Sequence, residues 1–537
     1  MKRLLLLGDE AIAQGAIDAG LSGAYAYPGT PSTEILEYIQ HSKYAKENKI
    51  HSTWSANEKT AMEAALGMSY AGKRALVCMK HVGLNVAADP FINSAITGAN
   101  GGVIVASADD PSMHSSQNEQ DSRFYGKFAM VPVLEPSSQQ EAYDMMHYGY
   151  DISEKYQVPV LLRITTRLAH SRAGVVVREV KKQNEMELPK DSIQYVLLPS
   201  NARKRYKILL GIQPSLETES ENSAYNKYFE GSDKSLGIIV SGIAYNYLME
   251  NKNENNFSFP VLKIGQYPLP LKMLEKIAGE CDEILVIEEG YPMIEESLTG
   301  LLGKGLKVRG RFDGTILRYG ELNPNIVASA LGIKEFKPMQ VPDLVVSRPP
   351  ALCGGCPHID SFKALNEALD GLSSGRSFSD IGCYTLGALP PYESINSCVD
   401  MGASITMAKG AADAGLVPSV AVIGDSTFTH SGMTALLDAV NDKSPITVLI
   451  LDNETTGMTG GQFSPANGKI EFICKGLGVD ERHIRVIEPL KKNHNDNVRI
   501  MKEELNYNGV SVIIPRRECV VTLAQKTKEK RKAAASK

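Results

Sequence analysis

What this chain lacks narrows its function before any motif is read. Charge of neither sign is in excess: 57 Lys and Arg stand against 62 Asp and Glu, a formal net charge of −5. That balance leaves no electrostatic footprint for nucleic acid or an anionic membrane surface. No apolar run approaches the length of a membrane span. The opening MKRLLLLGDE starts as a secretory signal would, but Gly8-Asp9-Glu10 ends the leucine run too early. It reads better as a first buried strand. There is one tryptophan, and the eight cysteines (78, 281, 353, 356, 383, 398, 474 and 519) are too few to staple 537 residues. Two of them form a C-x-x-C, so a reducing, cytoplasmic setting with metal or cluster chemistry is expected.

What is present is a composition for burial, 43% hydrophobic with 46 glycines, in a chain long enough for two to four domains. Residues 1–177 alternate short apolar runs (4–7, 24–27, 51–54, 75–79, 102–107, 160–164) with helical patterns, which predicts a doubly wound α/β domain. Residues 178–234 are polar and weakly periodic, and read as a surface linker with some helix. Apolar runs at 236–240, 259–264 and 284–287 predict a smaller α/β domain over 235–335. A Pro-containing connector near 338–350 leads to a last domain over 336–525. The tail 526–537, KTKEKRKAAASK, is basic and poor in apolar residues, as a disordered, solvated terminus would be.

The densest chemistry lies in residues 419–462. An apolar run breaks into Gly424-Asp425-Ser426, a helical segment follows, and a second run, 446–451, ends at Asp452-Asn453. In an open α/β sheet, ligands bind at the carboxyl ends of the strands. Asp425 and Asn453 offer hard oxygen ligands of the kind Mg²⁺ takes when it is shared with phosphates. Gly424 and the glycines at 457, 460 and 461 would let backbone approach a diphosphate closely. Gly-Asp-Ser alone also occurs in ordinary polar turns; the spacing to a second polar strand end makes that reading the weaker one. Glu58, by itself, is a first-turn glutamate behind an Asn57 cap, favoured by the helix dipole.

Taken in order, GDEAIAQGAIDAG, YPGTPSTE, NEKTAMEAALGMSYAG, CGGCPH and GDS…DNETTGMTGGQ resemble the 2-oxoacid:ferredoxin oxidoreductases, in particular their arylpyruvate (indolepyruvate) branch, over nearly the whole chain. The resemblance implies two thiamine-diphosphate-type doubly wound parallel-sheet domains flanking a smaller transketolase-C-terminal-like α/β domain. In these terms residues 1–177 form the pyrimidine-binding domain and residues 336–525 the diphosphate-binding one. It places Glu58 at N1′ of the cofactor's aminopyrimidine and Thr30 at its substrate end. Gly424, Asp425, Ser426, Asn453, Thr455 and Gly457 would hold the diphosphate, with Asp425, Asn453 and the main-chain carbonyl of Thr455 on Mg²⁺.

The pattern Q-x5-R-x-x-G, here Gln117, Arg123 and Gly126, would bind the substrate carboxylate through the fork of Arg123. An ion pair of Arg123 with Asp121 or Glu119 is the competing reading. Lys80, His81 and Asn85 are further candidates to line the site. Cys353, Cys356, Cys383 and Cys519 match the order of ligands to one [4Fe–4S] cluster, with a Cys₄ zinc site as runner-up. The implied activity is oxidative decarboxylation of arylpyruvates to aryl-acetyl-CoA. Its implied partners are a β subunit, coenzyme A and ferredoxin. The family's ferredoxin-like C-terminal cysteine runs are not found here, which opens the question of the electron acceptor. A non-redox thiamine decarboxylase or acyloin synthase, or a non-catalytic homologue, is the alternative.

Overall fold

A computed structural model of the chain describes residues 2–191, 193–255, 257–300, 305–337, 339–372 and 375–535. The chain divides into two compact units, Met1–Gln340 and Val341–Lys537. Both are α/β.

The first unit is built on a seven-stranded sheet. Its strands run, edge to edge, Gln266–Tyr267, Val133–Leu134, Val160–Thr165, Val103–Asp109, Ala75–Lys80, Gly23–Ala26 and His51–Trp54. All neighbours are parallel except the first pair. The central strands read as unbroken apolar runs because helices cover both faces; every residue of Val103–Asp109 and Val160–Thr165 is buried. The helices start where the sequence offers a cap. Asn57 Oδ1 accepts the amide of Thr60 at 2.8 Å to open Glu58–Tyr70, and Ser138 Oγ accepts that of Glu141 to open Gln139–Tyr156.

A five-stranded sheet follows in the same unit, ordered Val308–Arg309, Ile284–Ile287, Gly237–Ser241, Val261–Ile264 and an antiparallel Lys227–Phe229. The chain leaves Val261–Ile264 to add Gln266–Tyr267 to the edge of the larger sheet, so the two sheets share one continuous strand path.

Three expectations change here. The opening strand, Arg3–Leu7, does not join the main sheet. It pairs antiparallel with Arg172–Val176, and Leu5 is 67% exposed. Residues 199–221 are no loose linker but a 23-residue helix, Pro199–Glu221, with Pro214 inside it. Its polar residues hid it by docking on backbone: Arg205 donates to the Thr97 carbonyl (2.8 Å) and Gln213 to that of Met130 (3.1 Å). The basic tail continues a helix, Val520–Ala535; its last two residues, 536 and 537, lie outside the described set. Ala, Lys and Glu carry good intrinsic helix propensity, which suffices without an apolar stripe.

The second unit has six parallel strands, ordered Ser397–Cys398, Arg376–Ser379, Ser419–Gly424, Ile446–Leu451, Ser511–Pro515 and Ile484–Ile487. Ser419–Gly424 and Ile446–Leu451 are central and buried throughout. Among the described residues no helix is long and apolar enough to cross a membrane.

Candidate active site

In the second unit, Gly424 is paired in register with Leu451. Asp425 follows the first of these strand ends and Asn453 lies two residues past the second, so both side chains rise from neighbouring carboxyl ends. Asp425 is 3% exposed and its Oδ2 has no hydrogen-bond partner. Burial, and then the neighbouring Asp452, push its carboxyl up to about 7. A buried carboxylate so placed fits a bound cation. Asp452 itself is paired with Arg516 at 2.6 Å, which in turn holds Glu471.

Asn453 is fixed from several directions. Its Oδ1 accepts the Thr455 amide (3.3 Å), its carbonyl accepts the Cys519 amide (3.1 Å), and its Nδ2 lies 3.4 Å from His358 Nε2. Burial pushes His358 down to about 4, so the ring is neutral and its Nε2 can accept from the amide, which turns Oδ1 away. Ser426 Oγ accepts from Thr456 Oγ at 3.0 Å, and Thr455 Oγ donates to the Gln462 carbonyl. These contacts bring Asp425, Ser426, Asn453 and Thr455 together.

Two of the glycines also make room for neighbouring side chains. A Cβ at Gly424 would lie 2.5 Å from the Tyr384 ring, and one at Gly457 would lie 3.2 Å from Cys383 Sγ. The space at these two positions is taken by side chains of the same unit. Tyr384 donates to Asp380, and burial pushes that carboxyl up to about 7. Sequence reasoning missed His358, Asp380 and Tyr384. His358 stood inside the CGGCPH run, and only its hydrogen bond to Asn453 marks it out.

Cys353, Cys356, Cys383 and Cys519 line one cavity of about 140 Å³, with His358, Asn453 and Gly457 on its wall. Cys383 and Cys519 stand far along the chain from the Cys353–Cys356 pair, yet the sulfurs lie near enough that their neighbours help raise Cys356 and Cys383. Burial pushes Cys356 up to about 11, and burial with the neighbouring sulfurs pushes Cys383 up to about 12. Helices Pro357–Leu369 and Val520–Ala535 begin directly after Cys356 and Cys519, and a 3₁₀ turn begins at Cys383. Three helix starts therefore lie at cavity-lining cysteines. A zinc tetrahedron with bonds of about 2.3 Å would hold its sulfurs roughly 3.8 Å apart. No three of these four donors fall within 4.8 Å of one another, a spacing wider than a single ion takes. Cys78 and Cys474 are buried in apolar cores away from this group.

In the first unit, Gly23–Ala26 and Ala75–Lys80 are adjacent parallel strands, and Thr30 and Lys80 stand at their carboxyl ends. Thr30 is half-buried, and its carbonyl accepts Ser115 Oγ at 3.1 Å. Lys80 Nζ donates to the Ser115 carbonyl at 2.8 Å while its stem packs on Gly29. Burial pulls the Lys80 ammonium below its ordinary value, against the opposing charges of Asp110 and Glu58. Glu58 is 5% exposed, and a Cβ at Gly83 would lie 2.5 Å from its Oε1, so the glycine makes room for the carboxylate. His81 is buried with Nε2 against the Asn118 carbonyl, and Asn85 lies on an exposed face, accepting from Tyr125.

Arg123 is a correction. Its guanidinium is fully buried and every donor is committed: to Asp121, Glu288, Tyr267, and the carbonyls of Glu289 and Tyr291. Arg163 joins the cluster through Asp109 and Glu135, so two arginines face four acids between the two sheets of this unit. No substrate carboxylate can reach Arg123 without displacing one of these partners. Gln117 is exposed on the loop before it, and Gly126 is small because Val133 fills the space a Cβ would need. The cation beside Thr30 is Lys80.

Two family models match this chain. "Pyruvate flavodoxin/ferredoxin oxidoreductase, thiamine diP-bdg" covers residues 14–225, and "Thiamine pyrophosphate enzyme, C-terminal TPP binding domain" covers residues 380–513. With the α/β fold described above, they define the class: a thiamine-diphosphate-dependent oxidoreductase of the 2-oxoacid:ferredoxin type. The indolepyruvate oxidoreductase subunit IorA of Archaeoglobus fulgidus is 40% identical over 97% of this chain and 87% of its own length. That of Methanothermobacter thermautotrophicus is 38% identical with the same coverage. The chain belongs to this IorA family of indolepyruvate oxidoreductase subunits. Among solved structures, a 2-oxoglutarate:ferredoxin oxidoreductase from Magnetococcus marinus shares the fold with a TM-score of 0.50 at 16% identity, over 62% of this chain and 65% of that one.

Proposed function

We propose that this chain is the α subunit of an enzyme that oxidatively decarboxylates arylpyruvates such as indolepyruvate to aryl-acetyl-CoA. A β subunit completes it, and electrons leave through one [4Fe–4S] cluster on Cys353, Cys356, Cys383 and Cys519 to ferredoxin. Bound thiamine diphosphate supplies the electron sink that makes loss of CO₂ from a 2-oxoacid possible. Asp425, Asn453 and the Thr455 carbonyl would hold its Mg²⁺; the partnerless Oδ2 of Asp425 supports that reading. Glu58 would hold the proton at N1′ of the aminopyrimidine, with Gly83 leaving its carboxylate room. Thr30 and Lys80 would face the substrate.

The observation that carries the redox reading is the cavity where a C-x-x-C pair meets two cysteines from distant parts of the chain, no three of them within 4.8 Å, walled by the same Asn453 that would serve Mg²⁺. Anaerobically purified protein should be brown, with about four irons and four acid-labile sulfides per chain. Colourless protein carrying one zinc would overturn it. The assay is acceptor-linked oxidation of indolepyruvate, phenylpyruvate, pyruvate and 2-oxoglutarate, with and without the β subunit. Indolepyruvate should be oxidised fastest, and Glu58→Gln should lower kcat at least 100-fold with little change in cluster content. Turnover that survives Glu58→Gln would remove Glu58 from the reaction.

A further inference from the structure

Three donors unused by that chemistry meet in the first unit. Asp9 is the second residue of helix Gly8–Asp18, Glu34 the second of helix Thr33–His41, and His170 follows helix Thr166–Ala169. One ligand atom of each lies within 4.8 Å of the other two, the one such His/Cys/Asp/Glu group among the described residues. His170 Nε2 is 3.5 Å from Glu34 Oε2. Asp9 is completely buried, and neither of its carboxylate oxygens has a hydrogen-bond partner. A charge so placed is stable only if it is neutralised by a proton or by a cation.

The surroundings favour a cation. Glu10 and Asp110 add negative charge, acting on Asp9 and His170 respectively. The nearby arginines are engaged elsewhere, Arg167 with Glu321 and Arg172 with Glu10. Glu34 and His170 are 37% and 35% exposed, so an ion can enter from solvent and keep water on its outer side. Bonds of about 2.0–2.2 Å in a tetrahedron set donors roughly 3.3–3.6 Å apart, the bite that Glu34 and His170 already have. One imidazole with two carboxylates suits a borderline divalent ion, since imidazole takes Zn²⁺ and its neighbours while carboxylate also takes Mn²⁺.

We propose that Asp9, Glu34 and His170 bind one divalent transition-metal ion, separate from the thiamine site, that clamps the first two helices to the segment leading into Arg172–Val176. Glu34 stands four residues after Thr30, so the ion would also anchor the turn that carries Thr30. The proposal does not depend on the thiamine reading.

The test is an electron paramagnetic resonance titration of the full-length protein with Mn²⁺, in the absence of thiamine diphosphate. Wild type should show one saturable site that Asp425→Asn leaves intact. Asp9→Asn and His170→Gln should each weaken it at least tenfold. Mn²⁺ should also raise the Tm of wild type but not of His170→Gln, a partly exposed change that the fold will tolerate even if Asp9→Asn does not. If Asp9 merely holds a proton, no saturable Mn²⁺ site will survive Asp425→Asn and Mn²⁺ will not raise the Tm of that variant, and the proposal falls. A Mn²⁺ site that His170→Gln does not weaken overturns it equally.

Discussion

Two sites, one in each unit, bury charge in opposite ways. Between the sheets of the first unit, Arg123 and Arg163 face Asp109, Asp121, Glu135 and Glu288, and each guanidinium is enclosed by acids and backbone carbonyls. Burial raises Asp121, but Arg123 and Arg163 outweigh it and hold the carboxyl below its ordinary value. At the strand ends of the second unit, Asp425 is also buried, its Oδ2 has no hydrogen-bond partner, and the charge acting on it is another acid, Asp452. A saturated cluster is architecture. A buried acid with a partnerless oxygen is a candidate socket, and on the reading proposed above the difference separates residues that hold the fold from those that would take a ligand.

Breaking the saturated cluster should have the largest effect. Arg163→Met strands Asp109 and Glu135 in a dry site, and should cost about 3–5 kcal/mol in urea unfolding. A loss below about 1 kcal/mol would mean that the acids simply take up protons. The next change fills a space that only a glycine leaves. Gly424→Ala sets a methyl against the Tyr384 ring, and should cost about 1–3 kcal/mol as the ring is forced aside.

Asp425→Asn sharpens the contrast because its sign is opposite. Removing an uncompensated buried charge should raise the stability of cofactor-free protein, by about 1 kcal/mol at pH 8. Saturable thiamine diphosphate binding with Mg²⁺ should be lost in the same variant. A destabilised, still-binding variant would place Asp425 with the architecture.

The last effect is spread over a range of pH and concerns a buried base. His147 packs against Tyr143 with neither ring nitrogen hydrogen-bonded, and burial, with Arg178 and Lys181 nearby, pushes it down to about 4. Below its unfolded value near 6.5 the unfolded chain binds a proton that the folded chain refuses. Stability should therefore fall as pH drops from about 6.5 to about 4, by at most about 1.4 kcal/mol per pH unit. His147→Phe should flatten that slope, measured as urea midpoints across the same range.

The long parallel strands were legible because burial on both faces leaves an apolar run of five or six residues, as at Ala75–Lys80 and Ile446–Leu451. Two-residue strands such as Val133–Leu134 and Gln266–Tyr267 carry no period to read, and with them went the link between the two sheets. Asp425 and Asn453 could be picked out because polar residues directly after apolar runs mark strand ends where ligands bind, whereas Glu58 was singled out only by the family resemblance. Arg123 misled because a motif records spacing, whereas the partners that claim its guanidinium, Glu288 and Tyr267, lie more than a hundred residues away. The helix Pro199–Glu221 stayed hidden because its anchoring contacts are hydrogen bonds to carbonyls, which leave no hydrophobic pattern.

The cavity of four cysteines also sets an order of events during synthesis. Its first wall is made at Cys353 and Cys356, its second at Cys383, and its last only when Cys519 and the helix behind it have been added. The amide N–H of Cys519 donates a hydrogen bond to the Asn453 carbonyl, so Cys519 is held in place only when the strand Ile446–Leu451 is seated. Any group that needs all four sulfurs can be held only once the chain has been made through Cys519. Whatever loads this cavity in the cell has to recognise the second unit folded.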